Sequence, residues 1–154
     1  MRDTRTLAAA YAGMGAHASV VPALLPTWSA RGGDGVLVSV PALFSGLFVG
    51  VLASVPLLAR APAGRVLRGA TAAQAVTLVG LAIVGQSLVA GDATALVLLA
   101  AASGVAYGIT ESAASVGARA RSGTSRRLGL LLAVSAASAA ALPVLAFGAV
   151  RAGA

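Results

Sequence analysis

The chain has 154 residues, 58% of them hydrophobic and 10% charged, with a mean hydropathy of +0.94; a soluble domain carries roughly 25% charged residues, so that class is excluded. The net charge of +7 comes from eleven arginines and four acids, but the arginines sit between apolar runs and form no phosphate-binding face, so no nucleic-acid partner is expected. With no Cys and one His, the chain has no disulfide framework, no thiolate nucleophile and no cysteine- or histidine-rich zinc site; neither metal nor cofactor is expected.

The apolar residues fall into runs of about 20, the length at which a helix crosses a hydrocarbon core of about 30 Å. The fold class expected is all-α: a single polytopic bundle over 1–154 of about five transmembrane helices. The first span runs over about 7–28, with Pro22 and Pro26 near its far end, tolerated because neighbouring groups can satisfy the freed carbonyls. A polar, Gly-rich hairpin over 29–35 follows. The other spans are 36–59, about 66–90, about 93–116 and about 128–150, separated by short polar breaks. Met1 to Arg5 reads as the basic start of a signal peptide and Ala16-His17-Ala18 as a small-residue cleavage site, but the apolar run continues through Val20, Val21, Leu24 and Leu25, which favours a retained anchor.

Short cytoplasmic loops retain arginine. Arg2 and Arg5 precede the first span, Arg60, Arg65 and Arg68 lie between the second and third, and Arg119, Arg121, Arg126 and Arg127 between the fourth and fifth. The opposite loops carry Arg31 with Asp34, then Asp92, with Arg151 at the tail. This alternation places the N-terminus in the cytoplasm and implies a multi-pass protein of the plasma membrane, a bacterial inner membrane.

Helices in lipid approach each other through small residues. Gly46 and Gly50 form one such pair, and Gly104, Gly108 and Ser112 make a longer stripe at four-residue spacing; both faces are expected to meet other helices. About 100° further round the fourth span, Ser103, Tyr107, Glu111 and Ser115 share a polar face. Polar groups are costly against lipid, so this face is expected to look into the bundle or a watery cavity. Glu111, the one acid clearly inside a span, lies about a third of the way in from the cytoplasmic side at about 1.5 Å per residue. Two readings stay open: a proton or substrate carrier, or a structural carboxyl that is protonated or reaches toward Arg119 or Arg121. His17, near the middle of the first span, is either a proton relay or a neutral imidazole held by one hydrogen bond. Trp28 reads as an interfacial anchor, Tyr11 as a buried or cavity aromatic, and Gln74 and Gln86 as helix ends or interhelical hydrogen bonds. Ser103-Gly104 invites comparison with the nucleophile of a membrane serine protease. That chemistry needs a base within hydrogen-bond reach, the sole His lies on another helix, and Ala101 stands where that family has glycine, so no enzyme is expected.

Several segments together resemble the major facilitator superfamily: Gly15 through Leu25-Pro26, the Gly-rich second span, the basic turn Ala63-Gly64-Arg65-Val66-Leu67-Arg68, and small residues leading to Leu142-Pro143. Gly108-Ile109-Thr110-Glu111-Ser112-Ala113-Ala114 is similar to the fourth helix of its sugar and fucose permease branch. The chain departs from the family at Ala59-Arg60-Ala61-Pro62, where the loop acid is absent, and at Pro22, where a first-span acid often stands. The resemblance implies transmembrane transport of a small solute, with or without a coupled proton, through a cavity lined by the first, second, fourth and fifth helices. Glu111, Tyr107, His17, Ser103 and Ser115 are its candidate substrate- or proton-binding residues. The family's halves are two inverted three-helix repeats, so five spans imply a chain truncated after the fifth helix, or one that pairs with itself or with a second half-transporter. The alternative is a non-transporting membrane component, either a truncated remnant acting by helix-helix interaction or a subunit whose glycine stripes dock onto another protein. The lipid bilayer and a small-molecule solute are the remaining partners expected.

Overall fold

The computed structural model describes residues 2–88, 93–119 and 125–152. It is all-helical: α1 (Arg2–Gly32), a 3-10 helix (Asp34–Val38), α2 (Ser39–Arg60), α3 (Ala63–Gln86), α4 (Thr94–Arg119) and α5 (Ser125–Ala152). There is no strand among the described residues. Four stretches, Leu7–Gly32, Asp34–Arg60, Ala63–Gln86 and Thr94–Arg119, are long and apolar enough to cross a membrane. Within α5, the apolar stretch whose side chains are described is Gly129–Ala141. Met1, Ala90, Asp92 and Arg121, used above to place spans and loops, lie outside the described residues.

Local chemistry sets the helix ends. No residue between Trp28 and Gly32 breaks a helix, so α1 runs through the segment expected as a hairpin and stops where Gly33 takes φ +74°, a conformation open to glycine. The chain then makes a 3-10 turn before α2 begins, later than the expected start at Val36. Ala61 is extended because it precedes Pro62, and Pro62 opens α3 at Ala63. α3 ends at Gln86, short of the expected limit.

Contacts fix the directions of the helices. Thr77 bonds to Ser103 and Gly80 lies against Leu99, so α3 and α4 are antiparallel. Gly46 faces Ala101 and Gly50 faces Val105, so α2 and α4 run parallel. Gln74 reaches Gly13, and Gly85 lies under Trp28, so α1 and α3 are parallel.

The core has two apolar clusters with polar residues between them. One gathers Leu7, Ala10, Tyr11, Met14, Leu67, Ala113 and Ala114; the other gathers Val21, Trp28, Val36, Leu43, Leu81, Leu96 and Ala100. His17, Gln74 and Ser103, all buried, fall between them along α1, α3 and α4. Trp28 is 4% exposed. That corrects the expectation of an interfacial anchor, because Gly85 leaves a recess on α3 that the indole fills.

Candidate functional site

The seam between α2 and α4 determines how closely the polar layer is held. A methyl on Gly46 would strike the Ala101 carbonyl, one on Gly50 the Val105 carbonyl, one on Gly104 the Leu43 carbonyl and one on Gly108 the Leu47 carbonyl. The four glycines thus meet the facing backbones in both directions across one contact, which only the absence of side chains permits. Ser112, grouped with them by spacing, turns back instead: its Oγ donates to the Gly108 carbonyl of its own helix at 2.9 Å.

From this seam α4 carries Ser103 into the core, where it is fully buried. Its Oγ lies 3.2 Å from Nδ1 of His17 on α1 and 3.1 Å from Oγ1 of Thr77 on α3. Thr77 Oγ1 is also 3.0 Å from the Gln74 carbonyl, and Gln74 Nε2 donates to the Gly13 carbonyl at 3.2 Å. Three helices are therefore joined by one chain of hydrogen bonds at mid-core. A hydroxyl has a single proton. If Thr77 gives its proton to the Gln74 carbonyl, Ser103 donates to Thr77, His17 Nδ1–H donates to Ser103, and Nε2 is a bare acceptor. If Thr77 donates to Ser103, Ser103 donates to Nδ1 and Nε2 carries the hydrogen. In both directions His17 Nε2 is buried without a hydrogen-bond partner among the described residues, as is Gln74 Oε1.

The Tyr107 ring lies over the imidazole, with centroids 5.1 Å apart and planes inclined by 32°. Both rings line a cavity of about 120 Å³ between α1, α2 and α4, whose walls include Ala18, Pro22, Leu43 and Leu47. Pro22 has no N–H, so the Ala18 carbonyl lacks its α-helical partner.

His17, Ser103 and Tyr107 come together; Glu111 and Ser115 do not join them. Glu111 is exposed on the chain and Ser115 is half-buried, so of the two settings expected for this face, the bundle interior or a watery cavity, Glu111 does not take the first within the described helices. The reason is periodicity: a four-residue step overshoots a helical turn by about 40°, so a line drawn through Ser103 has rotated about 80° by Glu111. The Glu111 carboxylate remains within electrostatic range of the Tyr11 and Tyr107 phenols. The separation of His17 from Ser103 used against nucleophilic chemistry also fails, since the two side chains touch. What the pair lacks is access and support. Ser103 is fully buried and is not part of the cavity wall, and among the described residues no third group orients the imidazole.

Thr77 did not stand out in the sequence. Its signal is the three-residue spacing of Thr71, Gln74 and Thr77 along one face of an otherwise apolar span. Compared with known proteins, the chain matches no family model, no curated protein and no solved structure.

Proposed function

We propose that this chain is a membrane transport protein of the major facilitator type, with five spans, a cytoplasmic N-terminus and a place in the plasma membrane, that moves a small solute through a path beside α4. The observation that carries this reading is the cavity at His17 and Tyr107, which opens past the exposed Ala18, Pro22 and Phe44 between helices long and apolar enough to cross a bilayer. Pockets between the helices of a bundle are ordinary places for solute recognition. The resemblance of the Gly108–Ala114 segment to permeases supports the same reading.

Glu111 extends it. A carboxyl group exposed within a span is costly against lipid, so its face calls for a cover: a second half-transporter, a second copy of the chain or an aqueous passage. The test is solute flux into proteoliposomes under an imposed proton gradient, screened over sugars, small alcohols and organic acids. Glu111→Gln is expected to remove proton-coupled flux of the transported solute while the protein remains inserted. Equal flux by both proteins at every pH excludes Glu111 from the mechanism, and absence of flux for the whole screen removes the transport reading.

In the alternative of a non-transporting subunit, docking would use a face other than Gly46, Gly50, Gly104 and Gly108, which all face backbone of this same chain.

A further inference from the structure

We propose that the groove between α1 and α2, floored by α4, binds an elongated amphipathic organic cation, with its apolar body in the cavity at Tyr107 and its ammonium group on the Glu111 carboxylate. The proposal deepens the transport reading by naming a substrate class, and it rests on that reading only for the step from binding to movement.

The register of α4 puts both ends of the site on one line. Gly104 and Tyr107 line the cavity. Glu111 follows Gly104 by seven residues, which is two turns with a residual rotation of only about 20° and a rise of about 10 Å. It therefore lies almost directly beyond the cavity floor, and the rise from Tyr107 is about 6 Å. The Cα–Cβ bonds of a helix tilt toward its N-terminus, which for Glu111 is the direction of the cavity. Its carboxylate is within electrostatic range of the Tyr107 phenol, and the Tyr107 ring is part of the cavity wall.

Both places are open from the same side. α1 and α2 each pack on α4 and make little contact with each other. The cavity opens between them past the exposed Ala18, Pro22 and Phe44, and Glu111 is exposed one turn beyond Tyr107. A ligand in this groove therefore needs no atom of the buried polar layer, and it can be longer than the cavity itself.

The two ends select opposite properties. Val21, Leu43, Phe44 and Leu47 supply apolar wall, and no charged residue lines the cavity. A ring or hydrocarbon gains burial there, whereas a molecule with many hydroxyls leaves most of them unpaired. Glu111 supplies one negative charge. No arginine stands on α1 between Arg5 and Arg31, on α2 before Arg60 or on α4 before Arg119, so these helices carry no arginine along the groove to offset it. An anion is repelled, and a cation brings the partner that an in-span carboxylate needs. A bare metal ion is a poorer fit, because such ions take several oxygen ligands and the described residues contain no cluster of three acids or histidines.

Glu111 is the only glutamate in the chain, so a glutamate label in the side-chain carboxyl reports on it alone. The experiment uses the full chain in phosphatidylcholine nanodiscs, labelled with 13C at that carbon. Phenylbutylammonium, phenylbutanol, phenylbutyrate and benzylammonium are titrated by equilibrium dialysis, with empty nanodiscs correcting for partition into lipid. Phenylbutylammonium is expected to bind saturably and to move the carboxyl resonance. Phenylbutanol should bind about tenfold more weakly, for want of the charge-assisted hydrogen bond, and leave the resonance in place. Phenylbutyrate should bind more weakly still. Benzylammonium has the charge but is too short to join the cavity to the carboxylate, so it should bind more weakly than the longer amine. Glu111→Gln should reduce amine binding to the level of the alcohol and leave alcohol binding unchanged, which also shows that the variant is folded. Leu47→Trp, which fills the cavity, should abolish binding of both. Equal affinity for amine and alcohol, an unmoved carboxyl resonance, or full amine binding in either variant overturns the proposal. Saturable amine binding with no flux of any solute leaves this inference standing and removes the transport reading. Flux of a sugar with no amine response does the reverse.

Discussion

His17 Nδ1 and Ser103 Oγ, eighty-six residues apart in the chain, stand 3.2 Å apart in the core. The pairing of an imidazole with a serine hydroxyl is the start of a nucleophilic machine, but here the serine has no exposed surface. Ser103 is fully buried, shares its hydroxyl with Thr77, and sits outside the cavity wall. Attack on a carbonyl also needs donors for the developing oxyanion, and backbone N–H groups within α4 are engaged in the helix. We therefore expect a fluorophosphonate probe to label the wild-type chain no more than Ser103→Ala. Covalent modification at Ser103, located by peptide mass, would establish the pair as nucleophile and base and reverse this conclusion.

Glycines at the α2–α4 seam differ from glycines elsewhere in what a methyl would meet. At Gly104 an added carbon strikes the Leu43 carbonyl and comes within 2.8 Å of the Leu47 amide, both rigid backbone. At Gly64, near the start of α3, it meets nothing within 4 Å. Gly104→Ala is expected to cost about 1–3 kcal/mol through overpacking. Gly64→Ala is expected to be neutral or to gain up to about 1 kcal/mol from helix propensity. Reversible unfolding in mixed micelles, compared between the two variants, checks the contrast; equal stability would mean that α2 and α4 do not approach as described.

Much of this architecture is legible in the residues because lipid makes simple demands. Runs of about 20 apolar residues announce helices, and small residues at four-residue spacing announce close approach, so all four seam glycines stand out in the sequence. Spacing alone does not say which neighbour a stripe meets. Gly46 and Gly50 could equally have served a partner protein, and only tertiary packing sets them against α4. The site is less legible for a second reason. Ser103, Tyr107 and Glu111 lie on one line in the sequence, but helical drift turns that line from core to surface. Thr77 and Gln74, on α3, join His17 and Ser103 across three helices, and a hydrogen bond between distant segments leaves no local trace. Trp28 misleads because tryptophan favours membrane interfaces, whereas a single glycine at position 85 makes room for it inside.

That recess yields a prediction of its own. Trp28 is the only tryptophan in the chain, and a Cβ on Gly85 would strike its indole Nε1 and lie 2.6 Å from Cε2. Gly85→Ala must displace the ring or part the helices. Tryptophan emission is expected to be blue-shifted in the wild type and to move toward longer wavelength in Gly85→Ala, with a loss of about 1–3 kcal/mol in stability. Gly35→Ala is the comparison, since its Cβ would meet only the Ala93 methyl at an ordinary 3.6 Å. An unchanged emission maximum in Gly85→Ala would place the indole elsewhere.

The direction of the hydrogen-bond chain can be set by one methyl group. In the wild type Thr77 has two acceptors for its proton, the Gln74 carbonyl at 3.0 Å and Ser103 Oγ at 3.1 Å, so the imidazole tautomer follows a choice made on α3. Thr77→Val keeps the shape of the side chain and removes that choice: Ser103 no longer has a hydroxyl on α3 to donate to, and its proton goes to His17 Nδ1. The variant is expected to hold the imidazole as the Nε2–H tautomer, visible as a single protonated-ε pattern in the nitrogen spectrum. Thr77→Ser, which retains the hydroxyl, should keep the wild-type distribution. The stability cost of Thr77→Val is one net hydrogen bond, about 0.5–1.5 kcal/mol, small enough for the spectra to be compared in folded protein. If Thr77→Val and wild type give the same tautomer ratio, Thr77 does not control the histidine, and the three helices are joined by contacts that carry no proton order.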